Sequence, residues 1–213
     1  KQNLLHLGWN NKIYVIPNGI ITDGIECKKS WKQTKYIFFL ALLRPNKGAH
    51  LLIEAVAKLK ASLKGWKIVI AGKDNEHYAS FLKKLIIQYQ LEDMISLPGA
   101  LYGEDKWNMY RKADFFVLPT LNENFGIVIA EALLCGTPVI TCKGAPWNGL
   151  IDNHCGWWVD RTVEDITDAL NKAIRLQENE IREMGMRGRE FVINNYASNL
   201  VAKQLIDVYK SLL

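Results

Sequence analysis

The chain has 213 residues, of which 49% are hydrophobic and 23% charged, a composition typical of a globular protein. A chain of this length buries roughly 70% of the surface that it exposes when unfolded, so its fold requires no disulfide or metal. The net charge of +5 is spread without a block of like charges, which favours an anionic small ligand or a loose contact with an acidic membrane face over a nucleic-acid partner.

Short apolar runs alternate along the chain with longer amphipathic segments. The runs rich in Val, Ile and aromatic residues predict strands at Ile13–Ile16, Tyr36–Leu42, Lys67–Ala71, Ile95–Leu97, Phe115–Leu118, Pro138–Thr141 and Gly156–Val159. The segments with apolar residues three and four positions apart predict helices at Ala49–Lys60, His77–Tyr89, Trp107–Lys112, Gly126–Cys135, Val163–Leu176, Arg182–Tyr196 and Asn199–Leu213.

Strands that are apolar throughout, each followed by a helix, indicate a parallel sheet with both faces covered. We therefore expect a single Rossmann-like α/β domain over residues 1–213, with about six strands and with C-terminal helices over about residues 180–213. Ligands of such sheets bind at the carboxyl ends of the strands, in the loops that lead into helices. The candidate site is expected there.

Several motifs with known chemistry are absent from the sequence. It contains no G-x-G-x-x-G, no P-loop and no G-x-S-x-G, which argues against a dinucleotide site, a P-loop NTPase and a serine hydrolase. It has no D-x-D and no H-x-x-x-H pair, so we expect no protein-held metal. Cys27, Cys135, Cys142 and Cys155 have no C-x-x-C spacing, which indicates buried free thiols in a reducing compartment.

The loop LLRPNKGAHLL, residues 42–52, follows a predicted strand and opens a helix. Lys47 and the free backbone amides of this turn would attract an anion to the helix N-terminus. Arg44 could add a bidentate contact to phosphate. A solvated loop without a ligand is the alternative.

Two further loops contain glycines directly after predicted strands. In IAGKDNEHY, Gly72 would allow a ligand to approach the backbone closely, or it simply forms a turn. In LPGALYGED, the exposed backbone of Gly99, Ala100 and Leu101 could read the edge of a base, or it forms a tight connection with no ligand.

The fourth candidate, TLNENFGIVIAEALLCGTPVI, places Glu123 and Glu131 eight positions apart around Gly126. The amides near Phe125–Ile127 lie at a helix start, where the dipole is worth up to ~2 kcal/mol to a diphosphate. Eight helical residues rise ~12 Å and turn ~80° beyond two full circles. The carboxylates therefore cannot share a proton or a metal, but each could accept hydrogen bonds from a hydroxyl pair at one end of an extended ligand. An ordinary helix-face role for Glu131 is the alternative.

The E-x7-E spacing of Glu123 and Glu131, with IPNGI at 16–20 and RPNKG at 44–48, resembles the C-terminal, donor-binding domain of retaining GT-B glycosyltransferases, the glycosyl transferases group 1 family. The resemblance runs from about Ile13 to the final helix. It implies one half of a two-domain enzyme that holds a nucleoside-diphosphate sugar between two Rossmann-like domains. It also implies that the N-terminal, acceptor-binding domain is missing from these residues, and that this chain alone is inactive.

The same resemblance assigns roles to individual residues. Glu123 would contact the transferred sugar and support the charge that develops at its anomeric carbon, so it is the expected catalytic residue. Lys47 would pair with the diphosphate, and Glu131 would hold the ribose hydroxyls. The other expected donor-binding residues are Arg44, Gly72, Gly99, Ala100, Leu101, Asn124, Phe125, Gly126 and Ile127.

The sequence departs from the family pattern at two places. The family usually has Arg five residues before the motif lysine, where this chain has Leu42; Arg44 could replace it, because alternation along a strand puts both on one face. The family also tends to have a glutamate after the GG-x-P turn, where GAPWNGLID offers Asn148 and Gly149.

From the resemblance we expect a metal-independent hexosyltransferase with a glycan or lipid-linked acceptor, acting in cell-surface polysaccharide synthesis. Its expected location is the cytoplasm, with a peripheral contact to the inner membrane face. The alternative is a non-catalytic module for nucleotide binding or partner docking. A glycoside hydrolase is disfavoured, because its two carboxylates must lie roughly 5–10 Å apart across one bond.

Overall fold

The computed structural model describes residues 13–212 of the chain. Six of the predicted strands are observed: β1 (Tyr36–Leu40), β2 (Lys67–Ala71), β3 (Ile95–Gly99), β4 (Phe115–Leu118), β5 (Val139–Cys142) and β6 (Gly156–Val159). Each strand is parallel to its neighbours, and together they form one sheet in the order β3-β2-β1-β4-β5-β6. The predicted Rossmann-like α/β fold is therefore confirmed.

Eight α-helices accompany the strands within the described residues. They are α1 (Ala49–Lys58), α2 (Tyr78–Gln88), α3 (Gly103–Lys112), α4 (Ile127–Leu134), α5 (Gly149–Asp152), α6 (Val163–Ala173), α7 (Glu178–Tyr196) and α8 (Ser198–Lys210), and a 3-10 turn over Pro45–Lys47 precedes α1. Helix α1 packs against α2 and α6, whereas α4 packs against α3 and α7. From β1 to β3 the chain moves toward one edge of the sheet, and from β4 to β6 it moves toward the other edge. Because the crossovers are right-handed in both halves, these two groups of helices cover opposite faces of the sheet.

The centre of the sheet is apolar on both faces. Ile37, Phe38 and Phe39 of β1 have no solvent exposure. Phe38 lies beside Val69 of β2 and beside Phe116 of β4, and its ring meets that of Phe116 edge-on with the centroids 5.8 Å apart. The loops that follow β1 and β4 therefore begin at two tightly packed central strands.

One predicted strand is wrong. Residues Ile13–Ile16 form no strand, and Tyr14 and Val15 are 50% and 68% exposed. A short apolar run becomes a strand only beside a partner, and residues 13–16 have none in the sheet. The isolated bridge nearby is made by Ile20, after this segment, with Ala197 between α7 and α8.

Helix boundaries also differ from the sequence pattern. The predicted helix Trp107–Lys112 begins at Gly103, because an acidic first turn favours a helix N-terminus although it interrupts the apolar spacing. The four-residue α5 is too short to show a period. The last predicted helix, Asn199–Leu213, is observed as α8 and ends at Lys210; Leu213 lies outside the described residues.

The four cysteines are free thiols. Burial raises the pKa of Cys135, Cys142 and Cys155 to about 12, and it also raises the pKa of the half-buried Cys27. These side chains are therefore apolar packing groups and not thiolate nucleophiles at neutral pH. Within residues 13–212, none of the helices is at once long enough and apolar enough to cross a bilayer.

Candidate functional site

The candidate site lies where the strand order reverses, because β2 and β3 extend the sheet on one side of β1 and β4, β5 and β6 extend it on the other. Strands β1 and β4 are neighbours, but the chain leaves them for helices on opposite faces, so a crevice opens between their carboxyl ends. Two cavities of about 360 and 300 Å³ occupy this crevice and share the walls Ala41, Leu42, Ile127 and Val128. We call the two together the trough.

One end of the trough is formed by Lys47 and Glu123. Lys47 Nζ lies 2.6 Å from Glu123 Oε1, and the two side chains are only 19% and 16% exposed. The lysine comes from the turn after β1 and the glutamate from the loop after β4. The backbone N–H of Glu123 donates to the Gly144 carbonyl at 2.9 Å, which fixes the loop. The structure thus joins two residues that the sequence predicts separately.

The start of α4 forms the floor between the two cavities. Gly126 has φ 85° and ψ 62°, a left-handed conformation that favours glycine. Within residues 13–212, the backbone N–H groups of Phe125, Gly126 and Ile127 have no hydrogen-bond acceptor. The indole N–H of Trp147 donates to the Phe125 carbonyl, which holds this turn in place. Unpaired amides at a helix N-terminus favour an anion.

The other end of the trough is formed by Glu131 and two donors from α3. Lys106 Nζ lies 2.7 Å from Glu131 Oε1, and the Tyr110 hydroxyl donates to Oε2 at 2.9 Å. Burial and the neighbouring Glu131 charge raise the pKa of Tyr110 well above its usual value, so its hydroxyl remains a donor. The side chain of Glu131 is 13% exposed and lines the cavity.

The predicted base-binding segment is placed beside Glu131. Gly72, Ala100 and Leu101 line the cavity at that end, whereas Gly99 does not. A Cβ on Gly72 would lie 1.7 Å from the Ala41 carbonyl oxygen, so this glycine is required by the close approach of two chain segments. Close ligand approach is not needed to explain it.

Arg44 lies outside the walls of both cavities. Its Nε is 2.9 Å from Glu76 Oε1. The alternation argument for Arg44 in place of Leu42 fails, because β1 ends at Leu40 and the chain then turns. Leu42 itself lines both cavities.

The second departure from the family pattern lies away from the trough. Asn148 and Gly149 line neither cavity. A Cβ on Gly149 would come within 2.4 Å of the Phe191 ring, so this position is explained by the packing of α5 on α7.

The structure adds residues that sequence reasoning missed. Asn18 lines the cavity at Glu123, and Lys73, Tyr102 and Lys106 line the cavity at Glu131. Asn18 has a signal in the IPNGI segment. Lys106 lies outside the predicted helix Trp107–Lys112 and has no such signal. No local pattern marks Lys73 or Tyr102 either.

A third loop braces the first end of the trough. Arg161, after β6, donates from Nε to the Pro119 carbonyl at 3.0 Å and from Nη2 to the Pro45 carbonyl at 3.1 Å. The Leu121 amide donates to the Asn46 carbonyl at 2.7 Å. These bonds hold the Lys47 turn against the Glu123 loop.

The arrangement suits an extended, anionic, hydroxyl-bearing ligand. Carboxylates at the two ends accept hydroxyl hydrogen bonds, and Lys47 with the start of α4 favours negative charge between them. Within the part of the chain that the structure describes, no group of three His, Cys, Asp or Glu side chains is placed to hold a metal ion.

The fold is shared with solved glycosyltransferase structures. The chain superimposes on Anabaena HepE in complex with UDP with a TM-score of 0.86 and 19% identity, over 99% of this chain and 61% of that one. It also superimposes on the C-terminal domain of a glycosyl transferase group 1 family protein from Francisella tularensis, with a TM-score of 0.73 and 23% identity, over 84% of this chain and 99% of that one.

Sequence comparison agrees with the structural one. The chain is 27% identical to an uncharacterized glycosyltransferase of Methanocaldococcus jannaschii, over 94% of this chain and 54% of that protein. It spans about half the length of the curated relatives that it matches. The family model described as glycosyl transferases group 1 matches residues 25–191, most of the chain. The chain therefore belongs to the glycosyl transferases group 1 family and has the fold of a C-terminal GT-B domain.

Proposed function

We propose that this domain binds a nucleoside-diphosphate sugar as the donor half of a retaining glycosyltransferase. The observation that carries the proposal is the trough, with a carboxylate–lysine pair at each end and unpaired amides of the α4 start between them. A sugar, a diphosphate and a ribose in series have the matching chemistry. The related fold of HepE has been solved in complex with UDP.

In this proposal the sugar lies at Glu123 and the ribose at Glu131. The amides of Phe125, Gly126 and Ile127 then meet the diphosphate, and Lys47 turns from Glu123 toward it. The N–H dipoles and the ammonium stabilise the negative charge that grows on the diphosphate as its bond to the anomeric carbon breaks. A protein-held metal is not required, since these groups already supply positive charge.

Glu123 has the catalytic role in this proposal. Its carboxylate accepts hydrogen bonds from the sugar hydroxyls, which positions the anomeric carbon over the start of α4. The same negative charge stabilises the positive charge that develops at that carbon. An acceptor hydroxyl then replaces the diphosphate on the same face of the sugar and gives its proton to the departing diphosphate, so the anomeric configuration is retained.

Transfer itself is proposed for the whole protein. Because the curated relatives are about twice as long as the matched region, we propose that a second Rossmann-like domain supplies the acceptor site, and that this chain alone binds donor without transferring it. The proposed reaction is hexosyl transfer to a glycan or lipid-linked acceptor in cell-surface polysaccharide synthesis. The proposed location is the cytoplasm, with a peripheral contact to the inner membrane face.

Thermal unfolding with UDP-, GDP- and ADP-sugars tests the proposal. One of these series should stabilise the chain, by about 2.7 kcal/mol at a concentration a hundredfold above the dissociation constant. Lys47→Met should abolish most of the shift. Lys143→Met is the matched control, because Lys143 also pairs with an acid, at 2.8 Å from Asp160, but at an exposed site outside the trough.

Two outcomes would decide between the proposed donor-binding domain and a non-catalytic nucleotide-binding module. A folded chain that no nucleotide sugar stabilises would contradict the proposal. Stabilisation by the nucleoside diphosphate alone, with no further contribution from any sugar and no loss in Glu123→Ala, would favour the non-catalytic nucleotide-binding module.

A further inference from the structure

Both oxygens of the Glu131 carboxylate are engaged by donors from a single helix. Lys106 and Tyr110 lie four residues apart and so share one face of α3. Lys106 Nζ is 2.7 Å from Oε1, and the Tyr110 hydroxyl is 2.9 Å from Oε2. Neither donor is used by the proposed contacts of Glu131 with the ribose.

Both donors are themselves held in place. Tyr110 is fully buried, and its ring contacts Phe38 and Phe116 at centroid distances of 5.2 and 5.5 Å. Lys106 Nζ lies 4.3 Å from the centre of the Trp107 ring, a cation–π distance. A glutamate side chain loses up to ~2 kcal/mol of rotational freedom when it is fixed, and here that ordering precedes ligand binding.

The acceptor capacity that remains on Glu131 matches a vicinal diol. A carboxylate offers about four lone-pair positions, two on each oxygen. Lys106 and Tyr110 take one position on each oxygen, which leaves one on each. A 2′,3′-diol presents two donors side by side, whereas a deoxy sugar would leave one or both positions without a partner.

We propose that Lys106 and Tyr110 are positioning residues that fix Glu131 in the orientation for a ribose diol, so that the trough selects ribonucleoside over deoxyribonucleoside diphosphates. This inference rests on the proposed function, which places a ribose at Glu131. It gives α3 a role in selecting the nucleotide that the E-x7-E spacing alone does not predict.

Calorimetry with UDP and with 2′,3′-dideoxy-UDP tests this role. The wild-type chain should prefer UDP. Lys106→Met and Tyr110→Phe should each weaken UDP binding, by about tenfold for the lysine, and should leave dideoxy-UDP binding nearly unchanged. Neither variant should weaken UDP binding further in a Glu131→Ala background. If the chain binds GDP or ADP instead, the ribo and dideoxy forms of that nucleotide are compared.

Lys112→Met is the matched control. Lys112 is on the same helix, is exposed, and lies 3.8 Å from the Tyr36 ring centre, away from Glu131. It should keep the wild-type preference for UDP. Thermal unfolding of each variant without ligand shows that the fold is retained, and Tyr110→Phe keeps the buried ring.

The two proposals fail in different ways. If Lys106→Met binds UDP as tightly as the wild-type chain does, with the same ratio of UDP to dideoxy-UDP affinity, the positioning role is overturned and donor binding is left intact. Equal losses for UDP and dideoxy-UDP would also overturn it, because the contacts would then not act through the ribose. If the wild-type chain binds none of UDP, GDP and ADP, both proposals are overturned.

Discussion

Single residues set the charge pattern of the trough. Glu123 and Glu131 are each largely buried and each paired with a lysine, as buried carboxylates require. The sequence predicts both glutamates and Lys47, because they belong to a spaced motif and a helix start. It does not predict Lys106 as the partner of Glu131, since that pair depends on how α3 packs against α4.

The backbone of Gly126 offers a test at this scale. Gly126→Ala should destabilise the chain by about 1 kcal/mol, because φ is 85°, and should also weaken nucleotide binding, because the new Cβ would meet the Ile129 side chain at 3.0 Å. Gly24→Ala is the control: Gly24 has φ 78°, and among residues 13–212, apart from its chain neighbours, no atom lies within 4 Å of its Cβ position. Urea unfolding should show a stability loss in both variants, because both glycines have positive φ, and calorimetry should show a binding loss for Gly126→Ala alone. A binding loss in both variants would contradict the prediction.

Lys28 should give the stability of the chain a dependence on pH. It is 6% exposed, its Nζ donates to the Ala113 carbonyl at 2.6 Å, and burial lowers the pKa of Lys28 from 10.5 to about 8. Between these values the unfolded chain binds more protons than the folded one, so the free energy of unfolding rises with pH. Below about pH 8 both forms are charged, and the burial penalty is fully present.

Lys28→Met removes this titration. Relative to that variant, the wild-type chain should gain about 2 kcal/mol as the pH is raised from 8 to 10, measured by urea denaturation at each pH. Parallel stability curves for the two proteins would show that Lys28 does not titrate in this window.

At the scale of elements, three loops cooperate at one end of the trough. The turn before α1 carries Lys47, the loop before α4 carries Glu123, and Arg161 after β6 joins the two through the Pro45 and Pro119 carbonyls. The sequence predicts the strands and helices that flank these loops, because their apolar periods are strong. It does not predict Arg161, because carbonyl acceptors carry no side-chain signal.

Arg161→Lys tests the contribution of this brace. A lysine cannot donate to both carbonyls in the fixed geometry of a guanidinium. The bond to Pro45 is exposed and the bond to Pro119 is partly buried, so the loss of one of them should cost about 0.5–1.5 kcal/mol. Nucleotide binding should weaken as the two loops separate. Arg175→Lys, at an exposed position, should change neither stability nor binding. Wild-type affinity in Arg161→Lys would show that the loops do not need the brace.

At the scale of the whole molecule, the sheet order creates the trough. Placing β1 next to β4 brings together loops that are about 75 residues apart, as the Lys47–Glu123 pair shows with its separation of 76 positions. The apolar strands predict a parallel sheet but not the order of its strands, because that order depends on which helices pack on which face. The sequence also does not predict where β1 ends: the strand stops at Leu40, so strand alternation does not apply to Arg44, whose Nε lies 2.9 Å from Glu76 Oε1.

The measurement that tests the central claim most directly is calorimetry of Glu123→Ala and Glu131→Ala with UDP and with the UDP-sugar that stabilises the wild-type chain most. If the glutamates hold opposite ends of the donor, Glu131→Ala should weaken both ligands, whereas Glu123→Ala should weaken only the UDP-sugar. Equal losses for the two variants with both ligands would contradict the placement of sugar and ribose at opposite ends of the trough.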